Sequence, residues 1–175
     1  MMQILERAGL PLLTDQLRPA DLDNERGYYE YEPVKFMKEG DVAWMELARG
    51  KVVKIISHLL AYLPAEYEYK LIFMQRNLAE VVASQNRMLE NKGEAENKPI
   101  NNEELVRIFS LHLQGARQWI ADRTNIQAVF VDYNRLMQRP AATLKPVEDL
   151  LAMELAKPEI LTVVDLSAYR HRASS

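Results

Sequence analysis

The chain has 175 residues and a mass of 20.2 kDa, enough for one substantial core and so for a single domain spanning residues 1–175. Its apolar fraction of 48% and charged fraction of 27% are those of a globular chain, and a net charge of −3 argues against a broad nucleic-acid-binding surface. The absence of cysteine excludes disulfides, thiolate metal sites and a cysteine nucleophile, and no stretch reads as a bilayer span or secretory leader, so a cytoplasmic protein is expected.

Residues 1–8 predict a helix with Met2 and Leu5 inward and Gly9 at its C-cap, followed by a short strand at Leu10–Leu13. Residues 14–26 read as a polar connection containing Pro19. Tyr28, Tyr29 and Tyr31 then stand beside Glu30 and Glu32, either as the wall of an acceptor pocket or as half-buried packing. Pro33–Met37 begins a helix that Gly40 and Asp41 end, and Val42–Leu47 forms a second. Lys51–Ile56, KVVKII, is rich in β-branched residues and predicts a buried strand, with a helical Ser57–Leu63 running up to Pro64.

The segment Lys70–Ser84, KLIFMQRNLAEVVAS, changes period in its middle. Leu71–Met74 is the short apolar run of a strand buried on both faces of a parallel sheet, while Leu78, Val81, Val82 and Met88 recur at helical spacing. Asn77 is a good N-cap and Glu80 completes the spacing of a capping box. Arg76 therefore sits where strand gives way to helix, in the crevice where open α/β sheets bind ligands. An arginine there either grips a phosphate with its planar fork, within reach of Ser84 about two turns on, or forms an ion pair.

Lys92–Pro99 reads as a charged connection, and Asn101 or Asn102 caps a long helix to about Asp122 whose apolar side runs Leu105, Ile108, Phe109, Leu111, Leu113, Ala116, Trp119 and Ile120. Ile126–Val131 predicts another strand, and Tyr133-Asn134 a second strand-to-helix crossing. Thr143–Glu154 follows as a helix with Pro146 in its first turn, then a short piece at Pro158–Asp165 and a basic Arg170-His171-Arg172. The three histidines are too scattered to predict a metal site. Alternating strands and helices predict an α/β domain, a parallel sheet flanked by helices.

The segment Arg76-Asn77-Leu78-Ala79-Glu80-Val81-Val82-Ala83-Ser84 resembles the R-N-P-x-D-x-x-x-S segment of bacterial sulfotransferases, with Leu78 and Glu80 in place of proline and aspartate. Val131-Asp132-Tyr133-Asn134-Arg135-Leu136 and Pro140 look like that family's second strand-to-helix segment, and residues 23–30 and 169–172 resemble further segments of it. The resemblance implies a sulfotransferase-type P-loop fold and sulfuryl transfer from 3′-phosphoadenosine 5′-phosphosulfate, without a metal, to a hydroxyl or amine of a small-molecule or carbohydrate acceptor. It assigns Arg76 and Ser84 to the donor's 3′-phosphate and matches Lys54 to the lysine that steadies the leaving group. His58 lies outside the motif position of the family's base, yet near the crevice, and an imidazole is a residue type suited to proton removal.

The family begins with a strand and a P-R-S-G-T-S loop that wraps the phosphosulfate, whereas this sequence begins Met1-Met2-Gln3-Ile4-Leu5, which looks like the helix after that loop. The expectation is a fold missing its first strand, with little or no transfer by this chain. The alternative is a non-catalytic remnant or nucleotide- or protein-binding module. A sheet without that strand has unpaired edges, so a perturbed sheet, a shielding rearrangement or self-association through an exposed edge is expected.

Overall fold

The computed structural model describes residues 1–15, 17–18, 27–91 and 101–164. The connection expected at 92–99 and the basic segment 170–172 lie outside them, as does most of the connection expected at 14–26; of the resembling segments 23–30 and 169–172, residues 27–30 are described. The architecture is mixed α/β. In chain order it runs α1 (Met2–Arg7), a 3₁₀ helix (Glu32–Glu39), α2 (Met45–Ala48), a second 3₁₀ helix (Ser57–Tyr62), β1 (Tyr69–Gln75), α3 (Leu78–Asn91), α4 (Asn102–Ala121), β2 (Ile126–Asp132), α5 (Tyr133–Gln138), α6 (Pro140–Leu151) and α7 (Pro158–Leu161).

β1 and β2 pair in parallel, from Tyr69 opposite Ile126 to Gln75 opposite Asp132. Side chains alternate across a strand, so this register sends Ile72, Met74, Val129 and Val131 to one face and Leu71, Phe73, Ala128 and Phe130 to the other. The first face packs on Ile4 and Leu5 of α1, Leu136 of α5, Leu144 and Val147 of α6 and Ile160 of α7. The second packs on Ala116 and Ile120 of α4 and Leu60, with the Phe73 and Phe130 rings 5.4 Å apart. Helices thus cover both faces of a parallel pair, the arrangement expected of βαβ construction.

A third cluster gathers Val34, Met37, Trp44, Met45 and Leu59 beside the sheet. Gly40 ends the first 3₁₀ helix at φ +89°, and Gly9 follows α1 at φ +88°, left-handed positions that glycine adopts without steric cost. At Gly9 the turn is closed by Gly9 N donating to Glu6 O at 2.9 Å and Leu10 N to Leu5 O at 3.0 Å.

Several expectations are corrected. Leu10–Leu13 and Lys51–Ile56 are not strands of the sheet; they meet at one parallel bridge, Leu12 to Val52. Val53 and Ile55 are held by side-chain packing against the third cluster, so their β-branched residues signal burial without a continuous ladder. The sheet among the described residues is accordingly two strands and a separate bridge. The segments expected as helices at Pro33–Met37 and Ser57–Leu63 take the tighter 3₁₀ form. Ile108 and Leu111, expected on the buried side of α4, are 40% and 55% exposed, because only the C-terminal half of that helix lies over the sheet. α6 begins at Pro140, whose ring suits the first helical position, leaving Pro146 inside the helix.

Candidate functional site

Both strands end at a common crossing. Beyond the Gln75–Asp132 pair, each chain turns into a helix, and both turns are capped from the sequence. Asn77 Oδ1 accepts from Ala79 N at 2.9 Å and Glu80 N at 3.4 Å, while Asp132 Oδ1 accepts from Arg135 N at 2.8 Å. Between the crossings lies an open cleft of about 430 Å³ lined, among the described residues, by Gln75, Arg76, Asn77, Leu113, Asp132 and Asn134. It occupies the crevice outside the carboxyl ends of parallel strands.

Glu80 does not close the capping box. Its side chain turns under the cleft, 4% exposed, where Oε2 accepts from Arg76 Nε at 3.0 Å and Oε1 from Asn134 Nδ2 at 3.0 Å. Asn134 Oδ1 in turn accepts from the backbone N–H of Asn77 at 3.4 Å. The Arg76 guanidinium also lies over the Tyr133 ring, 5.0 Å from its centroid. Arg76 is thus both a wall of the cleft and the partner of a buried carboxylate.

Outside that lining, Arg117 Nη2 donates to Gln75 Oε1 at 2.6 Å and its guanidinium covers Phe130 at 4.3 Å. Arg117 is one turn beyond Leu113 on the same face of α4.

The four residues singled out from the sequence fall into separate places. Arg76 lines the cleft. Ser84 is half-buried on α3, one turn past Glu80 on the same side and outside that lining. Lys54 Nζ donates to Tyr28 O at 2.7 Å and lies 3.9 Å from Glu30 Oε1. Burial, with a smaller push from Arg18, outweighs Glu30 and holds the Lys54 ammonium below its ordinary pKa. His58 stacks on His112, ring centroids 4.0 Å apart and planes 15° from parallel, and Ser57 Oγ lies 2.8 Å from His112 Nε2. Burial first and His58 second hold His112 below its usual pKa. The contacts of Lys54 and His58 therefore tie them to the tyrosine segment and to α4, and neither joins the cleft lining.

Gln75, Asn134, Asp132 and Arg117 were not singled out by sequence reasoning. The rule that points to Arg76, a polar residue at the carboxyl end of a strand, also points to Gln75, Asp132 and Asn134. Arg117 carries no such signal, because its place depends on how α4 lies against the sheet. Among the described residues, no group of three or more His, Cys, Asp or Glu side chains is placed to hold a metal ion, and no helix is long and apolar enough to cross a membrane. Compared with protein-family models, curated proteins and solved structures, the chain matches none.

Proposed function

We propose that the cleft between the two strand-to-helix crossings binds a phosphorylated nucleotide, and that the chain is a sulfotransferase-type domain whose ligand is 3′-phosphoadenosine 5′-phosphosulfate or its product bisphosphate. The supporting observation is the position of Arg76: it lines a polar cleft at the carboxyl ends of two parallel strands, beside an asparagine-capped helix start. An anion there meets the positive charge of Arg76 at the capped start of α3, with Ser84 further along that helix. The chemistry of the family, sulfuryl transfer to a hydroxyl or amine, rests on positioning and charge stabilisation at such a site.

A second reading, nucleotide binding without transfer, is favoured by the engagement of Lys54 with Tyr28 and of His58 with His112, which keeps both of these side chains out of the described cleft lining. On either reading the protein belongs in a reducing cytoplasm, and a second copy would dock along an outer edge of the two-stranded ladder.

Calorimetric titration with adenosine 3′,5′-bisphosphate, set against adenosine, tests the binding. Saturable heat from the bisphosphate alone is the expected result. No binding by a chain whose circular dichroism shows it folded would overturn the proposal. A sulfated product, sought with the phosphosulfate donor and a mixed panel of hydroxyl and amine acceptors, would decide for transfer over binding alone.

A further inference from the structure

Two backbone edges share their packing without pairing. Val52 uses both of its backbone groups on one side, its N–H donating to Pro11 O and its carbonyl accepting from Leu13 N, each at 2.9 Å. From there the chain runs without turn or bend to Ile56, extended at φ −75° and ψ 144°. Successive residues of an extended chain turn their N–H and C=O to opposite sides, so Val53 and Ile55 aim theirs away from Leu12. In β1, Tyr69 N donates to Asn125 O at 2.9 Å, and the same alternation leaves the backbone of Lys70, Ile72 and Met74 pointing away from β2. Among the described residues no backbone hydrogen bond joins these two edges. Side chains nevertheless hold them together. Val52 packs on the same buried cluster as Ile72 and Met74, and Val53 and Ile55 on the same cluster as Tyr69, to which β1, and not β2, contributes among the described residues. Both edges run the same way: Ser57 Oγ, just past Ile56, lies 2.8 Å from His112 Nε2, and the adjoining Leu113 lines the cleft at the carboxyl ends of β1 and β2. At their starts Lys51 and Lys70 are exposed, and among the described residues neither has a carboxylate within ion-pair distance.

We infer that residues 51–56 and β1 are the two walls of a slot for one added strand, and that its occupant is an extended peptide of another chain, a short apolar and β-branched run led by acidic residues. The backbone groups of Val53, Ile55, Lys70, Ile72 and Met74 supply the hydrogen bonds of strand addition. Apolar clusters lie on both faces of the walls, so an occupant is buried above and below and must be apolar throughout, like an interior strand of a parallel sheet. The two ammonium groups stand at the amino-terminal end of a parallel occupant, and charge complementarity puts its acids there. Because both walls belong to one chain, a single strand fits between them and a folded second copy does not. The inference goes beyond the nucleotide reading and does not depend on it.

Fluorescence anisotropy of a labelled peptide of about eight residues, aspartates followed by alternating valine and isoleucine with a neutral solubilising tail, tests this on the full chain. Two further peptides serve as comparisons, one with its backbone N-methylated and one led by lysines. The expected result is saturable binding of the acidic peptide, about tenfold weaker once the N–H donors are methylated and several-fold weaker with the lysine lead. The double variant Lys51→Glu, Lys70→Glu changes exposed side chains alone, so it should keep the wild-type melting temperature and reverse the preference between the two leads. No binding by a chain whose circular dichroism shows it folded, or equal binding of the N-methylated peptide, would overturn the slot. Equal binding of acidic and lysine-led peptides would overturn the acidic occupant. A dimer in sedimentation velocity that the peptide dissociates would assign the slot to a second copy and overturn the inference as stated.

Discussion

Asn134 gives its Nδ2 to Glu80 Oε1 at 3.0 Å across 54 positions of sequence, and through that one carboxylate the crossing after β2 is fastened to the crossing after β1. The other oxygen holds Arg76, so among the described residues these three side chains are joined through the carboxylate at their centre.

Removing the charge from that centre should be costly. Glu80→Gln is expected to lower stability by about 2 kcal/mol and Glu80→Ala by about 3 kcal/mol, from lost charge-assisted hydrogen bonds and, for alanine, a buried void beside unpaired donors. Urea denaturation measures both. A loss under about 0.5 kcal/mol, the scatter of surface substitutions, would show that the unit contributes nothing to the fold.

The stacked imidazoles predict a loss of stability in mild acid. His112 has a folded-state pKa below its ordinary 6.5, through burial first and His58 second. The unfolded chain therefore takes up this proton at higher pH than the folded one. Stability from this group is complete above 6.5 and falls as pH drops from there through the lowered folded value. Urea midpoints between pH 7.5 and 5 should decline more steeply for wild type than for His112→Gln, whose amide stays neutral. Parallel slopes would contradict the prediction.

At the opposite extreme, burial pushes the Tyr69 phenol up to about 12 from 10.0, and its hydroxyl donates to Pro64 O at 2.8 Å. Between those two values the unfolded phenol ionises while the folded one holds its proton, so this contribution is intact below pH 10 and is lost as pH rises toward 12. Tyr69→Phe should cost about 1 kcal/mol at neutral pH for the missing hydrogen bond and should remove part of the alkaline decline. Melting curves from pH 8 to 11.5 compare the two chains.

Pro146 stands within α6, where it has no N–H for the carbonyl one turn back, and it is exposed. Replacing it with alanine restores that bond and the better helix former. Pro146→Ala should raise stability by about 1 kcal/mol or more, read as a higher melting temperature, with the gain limited by the greater freedom of the unfolded chain. A lower melting temperature would mean that the ring packs usefully where it is.

What was legible in the sequence is local. The change of period at Arg76, the caps at Asn77 and Asn101, and the extents of α3, α4 and β2 follow from short-range chemistry, and they locate the cleft because a strand's end and a helix's start are both written in a few neighbouring residues. Asn101 indeed caps α4, accepting from Glu104 N at 2.8 Å. Pairing is not local. Val52 and Val53 look like a strand because they are apolar and branched, yet nothing in KVVKII says that, among the described residues, a single bridge to Leu12 takes the place of a ladder. Glu80 has the spacing of a capping-box residue and instead serves a partner on another element. For the same reason the meeting of His58 with His112, and of Arg117 with Gln75, could not be read from periodicity. Of the residues backed for chemistry, Arg76 lies in the cleft lining, whereas Lys54 and His58 are bound to other segments.

The parallel ladder has one further consequence, for how the domain assembles and tolerates change. Every pair along β1 and β2 is the same distance apart in sequence, so the entropy of closing the intervening chain is lost once, at the first pair, and the remainder add without a further closure cost. Loop entropy grows only as a logarithm of length, roughly 0.6 kcal/mol for each doubling. Residues added or removed between α3 and α4 should therefore alter folding speed more than cleft geometry.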